Sequence, residues 1–126
     1  MVLAGLYYTK EHEWLKIDGD EAIVGITDHA QEMLGEITFV ELPSIDSDID
    51  KGDDLAVVES SKAASDVYAP VSGKVIDVNS ELEEKPELIN EDCYEAGWIC
   101  RLAISSKEEI EQLMDAKKYE EYLKGI

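Results

Sequence analysis

The sequence predicts a mostly β domain: a flattened antiparallel barrel or sandwich of short strands, with one short helix in its N-terminal half and helices at its C-terminus. Three observations carry this. Short apolar runs rich in valine and isoleucine recur between clusters of Gly, Pro, Asp and Ser. One brief early stretch has a helical period between a start and a stop signal. Beyond residue 105 the strand-like pattern gives way to capping residues and an i, i+3, i+4 apolar spacing. At 126 residues the chain is expected to be one domain, with a core over about 7–104 and a helical appendage over about 106–124.

In chain order, residues 9–17 partly alternate, Asp18-Gly19-Asp20 signals a turn, and Glu21-Ala22-Ile23-Val24-Gly25-Ile26 follows as the return strand of a first hairpin. His12 has no second histidine near it in sequence and is expected to be structural or solvent-facing. Thr27 can cap a short helix whose apolar stripe is Ala30, Met33 and Leu34, with Gly35 as its stop and His29 on its surface. Residues 36–42 read as a strand ended by Pro43. Residues 44–54 are dense in aspartate, but glycine arrives too late for a calcium loop, so a solvated turn is expected.

Residues 55–58 and 67–69 are strand-like and flank a small polar segment, Glu59-Ser60-Ser61-Lys62-Ala63. Two strands with Lys62 at or near the tip of their connection is the simplest reading. Val71-Ser72-Gly73 turns the chain into a strand over 74–78. Residues 79–92 lack a sustained period and contain Pro86, so they read as an irregular surface excursion. Residues 97–104 form a last strand with Trp98, Cys100, Leu102 and Ile104 on one face. Ser106 and Glu109 have capping-box spacing ahead of Ile110, Leu113 and Met114, and Asp115 can cap a second helix carrying Tyr119, Tyr122 and Leu123.

Acidic residues outnumber basic ones 30 to 11, a net charge of −19. Nucleic acid and anionic membrane surfaces would be repelled; partners with basic docking faces would be attracted. The two cysteines, Cys93 and Cys100, have neither redox-pair nor metal spacing and are expected to be free thiols in a reducing compartment. Two histidines make a His-based metal site improbable. Residues 1–6 are too short for a signal peptide, and no apolar run is long enough to span a bilayer. There is no GxSxG elbow, Walker loop or GxGxxG fingerprint, so no self-sufficient enzyme is expected. The chemical question narrows to Lys62. A hairpin tip holds a side chain firmly at its root and exposes its end, and an enzyme that acylates a lysine amine needs both. Taken alone, Lys62 would be an ordinary surface lysine.

Its company changes that reading. Residues 8–14, 24–31, 34–36, 39–43, 57–66 (Val-Val-Glu-Ser-Ser-Lys-Ala-Ala-Ser-Asp) and 70–73 resemble, in order, the H-protein family of the glycine cleavage system. The match continues through Asn90-Glu91-Asp92, Tyr94 and Gly97-Trp98 into the C-terminal helices and so spans essentially the whole chain. The resemblance implies a barrel-sandwich hybrid fold with two antiparallel sheets. It implies a lipoyl group carried on Lys62 and attached by a lipoate ligase or lipoyl transferase, with Glu59 and Gly73 at positions tied to recognition by that enzyme. It further implies a carrier that takes an aminomethyl group from the pyridoxal-phosphate decarboxylase (P protein) to the tetrahydrofolate-dependent aminomethyltransferase (T protein). A dihydrolipoamide dehydrogenase (L protein) reoxidises the arm. Glu13 and Asp66 match acidic positions that receive the loaded arm, and Met33 stands where some relatives have histidine. The carrier is expected to be a monomer in the cytoplasm, or in the mitochondrial matrix after removal of a transit peptide.

Two rivals stand beside this reading. One is an H-like protein that mainly relays lipoate to other enzymes or serves a redox system. The other, of a different class, is a structural or binding β module with Lys62 unmodified. Biotinyl domains flank their lysine with methionines and 2-oxoacid dehydrogenase lipoyl domains have Asp-Lys-Ala; Ser61-Lys62-Ala63 fits neither.

Overall fold

The computed structural model describes residues 2–126. Strand β1 (Tyr7–Tyr8) pairs with β2 (Glu13–Asp18), and β2 with β3 (Glu21–Ile26), all antiparallel. The expected first strand begins only at Glu13, because residues 9–12 form a turn: the Thr9 amide donates to the Glu13 carbonyl (3.0 Å) and the His12 amide to the Thr9 carbonyl (3.1 Å). His12 closes that turn at φ +70°, a conformation uncommon outside glycine. Helix α1 (Asp28–Leu34) starts at Thr27, whose hydroxyl accepts the Ala30 amide, and stops at Gly35, φ +79°, whose amide returns to the Gln31 carbonyl. Ala30 and Leu34 pack on the core, but Met33 is 62% exposed, so the expected three-residue stripe has two members.

Strand β4 (Ile37–Glu41) follows, then β5 (Asp48–Ile49), β6 (Asp54–Ser60), β7 (Ala64–Tyr68) and β8 (Gly73–Val78). The aspartate-rich stretch is thus not all turn, since β5 pairs with β8. Residues 79–92 are more ordered than expected. They hold two single-turn helices, α2 (Glu81–Glu84) and α3 (Leu88–Glu91), each inserting one fully buried side chain, Leu82 and Ile89. Strand β9 (Cys100–Ile104) is shorter than predicted and leaves Trp98 outside it. Lys107–Gln112 is a 3₁₀ helix, and Ser106 does not cap it; Glu109 instead accepts the amide and hydroxyl of Ser72 at 2.6 and 3.0 Å. Helix α4 (Ala116–Lys124) is capped as expected by Asp115, which accepts the Lys118 amide at 2.8 Å.

Among the described residues the strands form two antiparallel sheets that are not closed on each other. One has six strands in the order β1-β2-β3-β9-β8-β5; the other has three in the order β4-β6-β7. Leu15, Val24, Val75 and Leu102 of the larger sheet share one buried core with Val40, Val58 and Val67 of the smaller. Each such side chain contributes about 1.5–3 kcal/mol by leaving water. This is the predicted flattened sandwich. A second cluster lies on the outer face of the larger sheet, where Tyr8, Trp14 and Leu6 are covered by Tyr119 of α4. There Tyr8 and Tyr119 stack in parallel with ring centres 4.5 Å apart. Among the described residues, no helix is long and apolar enough to cross a membrane.

Candidate functional site

The β6–β7 hairpin is the longest feature of the smaller sheet, and Lys62 lies in its three-residue connection. Val58 and Val67 point into the core and root the hairpin, while residues 61–66 are exposed. The tip is closed by its own chain. The Ser60 amide donates to the Ala63 carbonyl at 2.8 Å, and the Ser60 hydroxyl oxygen accepts the amides of Lys62 and Ala63, both at 3.2 Å. The backbone under Lys62 is therefore ordered even though its side chain is open to solvent.

That side chain lies against the corner between α1 and β4. A Cβ on Gly35 would stand 3.7 Å from Lys62 Cε and 4.0 Å from Nζ. The corner is pinned by Asn90 of α3, a residue to which the sequence assigned no role. Its Nδ2 donates to the Gly35 carbonyl and to Gln31 Oε1, both at 2.9 Å, and its Oδ1 accepts the Ile37 amide at 2.8 Å. Only tertiary structure reveals this, because Asn90 sits 55 residues from Gly35 in a segment without a period.

Glu59 and Phe39 face each other across β4 and β6, and Glu59 faces Ala64 across β6 and β7. Glu59 is thus on the hairpin, three residues before Lys62. Gly73 is elsewhere: it begins β8, is buried, and approaches β9 so closely that a Cβ would lie 2.4 Å from the Ala103 carbonyl oxygen.

Glu13 and Asp66 differ in kind. Asp66 is exposed on β7. Glu13 is only 2% exposed; its Oε1 accepts the Thr9 hydroxyl at 2.6 Å and its Oε2 the Tyr68 amide at 3.0 Å. Burial pushes its carboxyl up to about 7, against the opposing pull of the Thr9 and Tyr68 hydrogen bonds. Glu13 lines one wall of an open cleft of about 490 Å³, with Thr9, Glu11, Tyr68 and Lys51. The Tyr68 amide it binds is at the end of β7, whereas Asp66 is at the strand's centre, two residues earlier.

His12 is half-buried, as a structural histidine should be, but it is not alone. The β2–β3 hairpin returns His29 to within 4.4 Å of its ring, and its Nδ1 meets the Tyr119 hydroxyl at 2.8 Å. Cys93 and Cys100 are buried free thiols, both pushed up to about 12 by burial, and so are unreactive.

Comparison with known proteins bears on the chain as a whole. The family model described as "Glycine cleavage H-protein" matches residues 6–126. The chain is 55% identical over 120 residues to the glycine cleavage system H protein of Alkaliphilus oremlandii, covering 95% of this chain and 94% of that one. It is 52% identical over 118 residues to the one from Carboxydothermus hydrogenoformans, covering 94% and 91%. The crystal structure of a glycine cleavage system H protein from Mycobacterium marinum superposes with a TM-score of 0.89 at 34% identity, covering 99% of this chain and all of that one. With sheets, hairpin and near-complete sequence in agreement, the chain belongs to the glycine cleavage H-protein family, the lipoyl carrier subunits of the glycine cleavage system.

Proposed function

We propose that Lys62 is the lipoyl-bearing lysine and that the single domain exists to present it. The observation that carries this reading is the hairpin itself: an ordered backbone tip whose lysine amine is open to a modifying enzyme. The residues around it suit the group. The attachment atom is the amine of an exposed lysine. When attached, lipoate supplies a disulfide that can be reduced and a sulfur that holds a one-carbon unit between enzymes. The chain itself supplies reach and shelter. A tethered carrier replaces diffusional encounter by a local concentration in the mM range, which is why no catalytic residues of its own are needed.

Glu59 is assigned to recognition by the lipoate ligase or lipoyl transferase through its outward carboxylate. Gly73 is assigned to the same recognition indirectly, because its close approach to β9 sets the course of the chain leaving the base of the hairpin. Glu13 and Asp66 are assigned to holding the cationic amine of the cargo. A carboxyl group near 7 is divided between its two forms at neutral pH, and an arriving cation draws it to the carboxylate. Docking would then release a proton. The partners are the P, T and L proteins. The setting is the reducing cytoplasm, which suits two buried free thiols.

Intact-mass and peptide mass spectrometry of the protein from its own host tests the attachment. A lipoyl adduct on the peptide containing Lys62, absent from Lys62→Arg with an unchanged circular dichroism spectrum, is the expected result. An unmodified protein, or an adduct on another lysine, rejects it. Exchange of labelled bicarbonate into glycine with P protein separates glycine cleavage from a lipoate-relay role.

A further inference from the structure

We infer that the outer face of the three-stranded sheet is the docking surface for the enzyme that attaches lipoate, with Phe39 as its apolar anchor. This rests on the reading of Lys62 as the attachment site and goes beyond it by naming the surface.

In β6 and β7, Val58 and Val67 point inward, so Val57, Glu59, Ala64 and Asp66 point outward, and in β4 the inward Val40 leaves Phe39 and Glu41 outward. The registers align them in two rows: Phe39, Glu59 and Ala64 in one, Glu41, Val57 and Asp66 in the next. The first row is the one nearest the Lys62 tip. Phe39 is 52% exposed, although it is a large apolar side chain with a formed sheet beneath it. An aromatic ring left in water beside carboxylates has the composition of an interface centre with a charged rim.

Two arguments choose the occupant. The first is charge. The rim is acidic on a chain of net charge −19, so a second copy of this chain would bring like charges together, whereas an enzyme with a basic rim gains in both approach and orientation. The second is reach. Lys62 Nζ lies back over Gly35, two residues before β4 begins. An enzyme that must touch Nζ has to seat itself on the root of the side chain, and a standard interface of about 800 Å² per partner centred there covers the Phe39 row. An enzyme that works on the far end of a long arm can stand away from it.

The test uses the full unmodified protein with a purified lipoate–protein ligase, lipoate and ATP, following acylation of Lys62 by intact mass. Phe39→Ala is expected to fold normally and to raise KM about tenfold with kcat little changed. Glu41→Lys is expected to lower kcat/KM about fivefold at low salt and much less at high salt, whereas Asp77→Lys, the same charge change on the larger sheet, should have little effect. Wild-type kinetics in Phe39→Ala and Glu41→Lys overturn the docking surface while leaving Lys62 as the carrier residue. Failure of the wild-type protein to be acylated at Lys62 takes down both. If Phe39→Ala slows only the dihydrolipoamide dehydrogenase reaction of loaded protein, or dissolves a dimer seen by sedimentation, the face belongs to another occupant and the inference is wrong.

Discussion

The Glu13 carboxylate on β2 accepts the Tyr68 main-chain amide on β7 at 3.0 Å, and this bond ties the larger sheet to the base of the lysine hairpin. A buried carboxyl group at a sheet junction is costly when charged and inexpensive when protonated. Burial favours the protonated form, whereas the Thr9 hydroxyl and the Tyr68 amide, both donating to the carboxyl oxygens, favour the charged one, and burial is the larger effect.

A pH dependence of stability follows. Glu13 has an ordinary value of 4.5 and is raised to about 7 in the fold. Between those values the folded state binds more protons than the unfolded chain, so stability falls as pH rises. The contribution is complete below about 4.5 and lost as pH climbs through 7, by up to about 3 kcal/mol. Glu13→Gln, which mimics the protonated form, should be more stable than wild type at pH 8 and lose this slope. Urea unfolding at pH 5, 6, 7 and 8 measures it; parallel curves for the two proteins would reject a raised Glu13.

The hairpin, the Thr27 and Asp115 caps and the Gly35 stop were legible because each is written in adjacent residues: period, cap and breaker within a few positions. What was not legible depends on contacts between distant segments. β5 has two residues, too few to show any period. Leu82 and Ile89 are single buried anchors in single-turn helices, which look like scattered hydrophobics in a polar stretch. Ser106 and Glu109 satisfy the local grammar of a capping box, but Ser72 makes two hydrogen bonds to Glu109 and wins it. Met33 has the right spacing for a buried stripe and no neighbour to bury it. The place of Lys62 in the β6–β7 connection was legible from the sequence, whereas the contacts of Asn90 and the burial of Glu13 required the fold.

The His12–His29 pair gives the C-terminal helix its own pH response. Tyr119 of α4 sits between His12 Nδ1 and the Thr27 hydroxyl, 2.8 Å from each. His12 is held below its ordinary 6.5 chiefly by burial and then by His29, with Glu11 opposing. The unfolded chain therefore binds more protons in the window below 6.5, and stability contributed by neutral His12 is lost as pH falls through the lowered value. Hydrogen exchange of residues 116–124, corrected for intrinsic rates, should quicken between pH 7 and pH 5. Tyr119→Phe should cost about 1–2 kcal/mol at pH 7 by stranding two polar groups. Unchanged protection of α4 across this range would show that the pair does not govern the helix.

Gly73→Ala tests the close approach of β8 to β9. A methyl group there would lie 2.4 Å from the Ala103 carbonyl oxygen, and backbone cannot rotate aside as a side chain can. The expected cost is about 1–3 kcal/mol, seen as a lower urea midpoint with an unchanged slope. Slow acylation of this variant alongside normal stability would instead assign Gly73 a direct role in recognition.

Ser60→Ala isolates the value of an ordered tip. The substitution removes the oxygen that accepts the Lys62 and Ala63 amides while leaving Val58 and Val67 to root the strands. Because those amides are at the surface, water replaces the lost acceptor and global stability should fall by less than about 1 kcal/mol. The two amides should exchange faster, and acylation by the ligase should slow about three- to tenfold, because a loosened root spends less time in the productive orientation. Faster exchange with an unchanged acylation rate would mean that the ligase orders the tip for itself, and that the hydrogen bonds of Ser60 serve only the free protein.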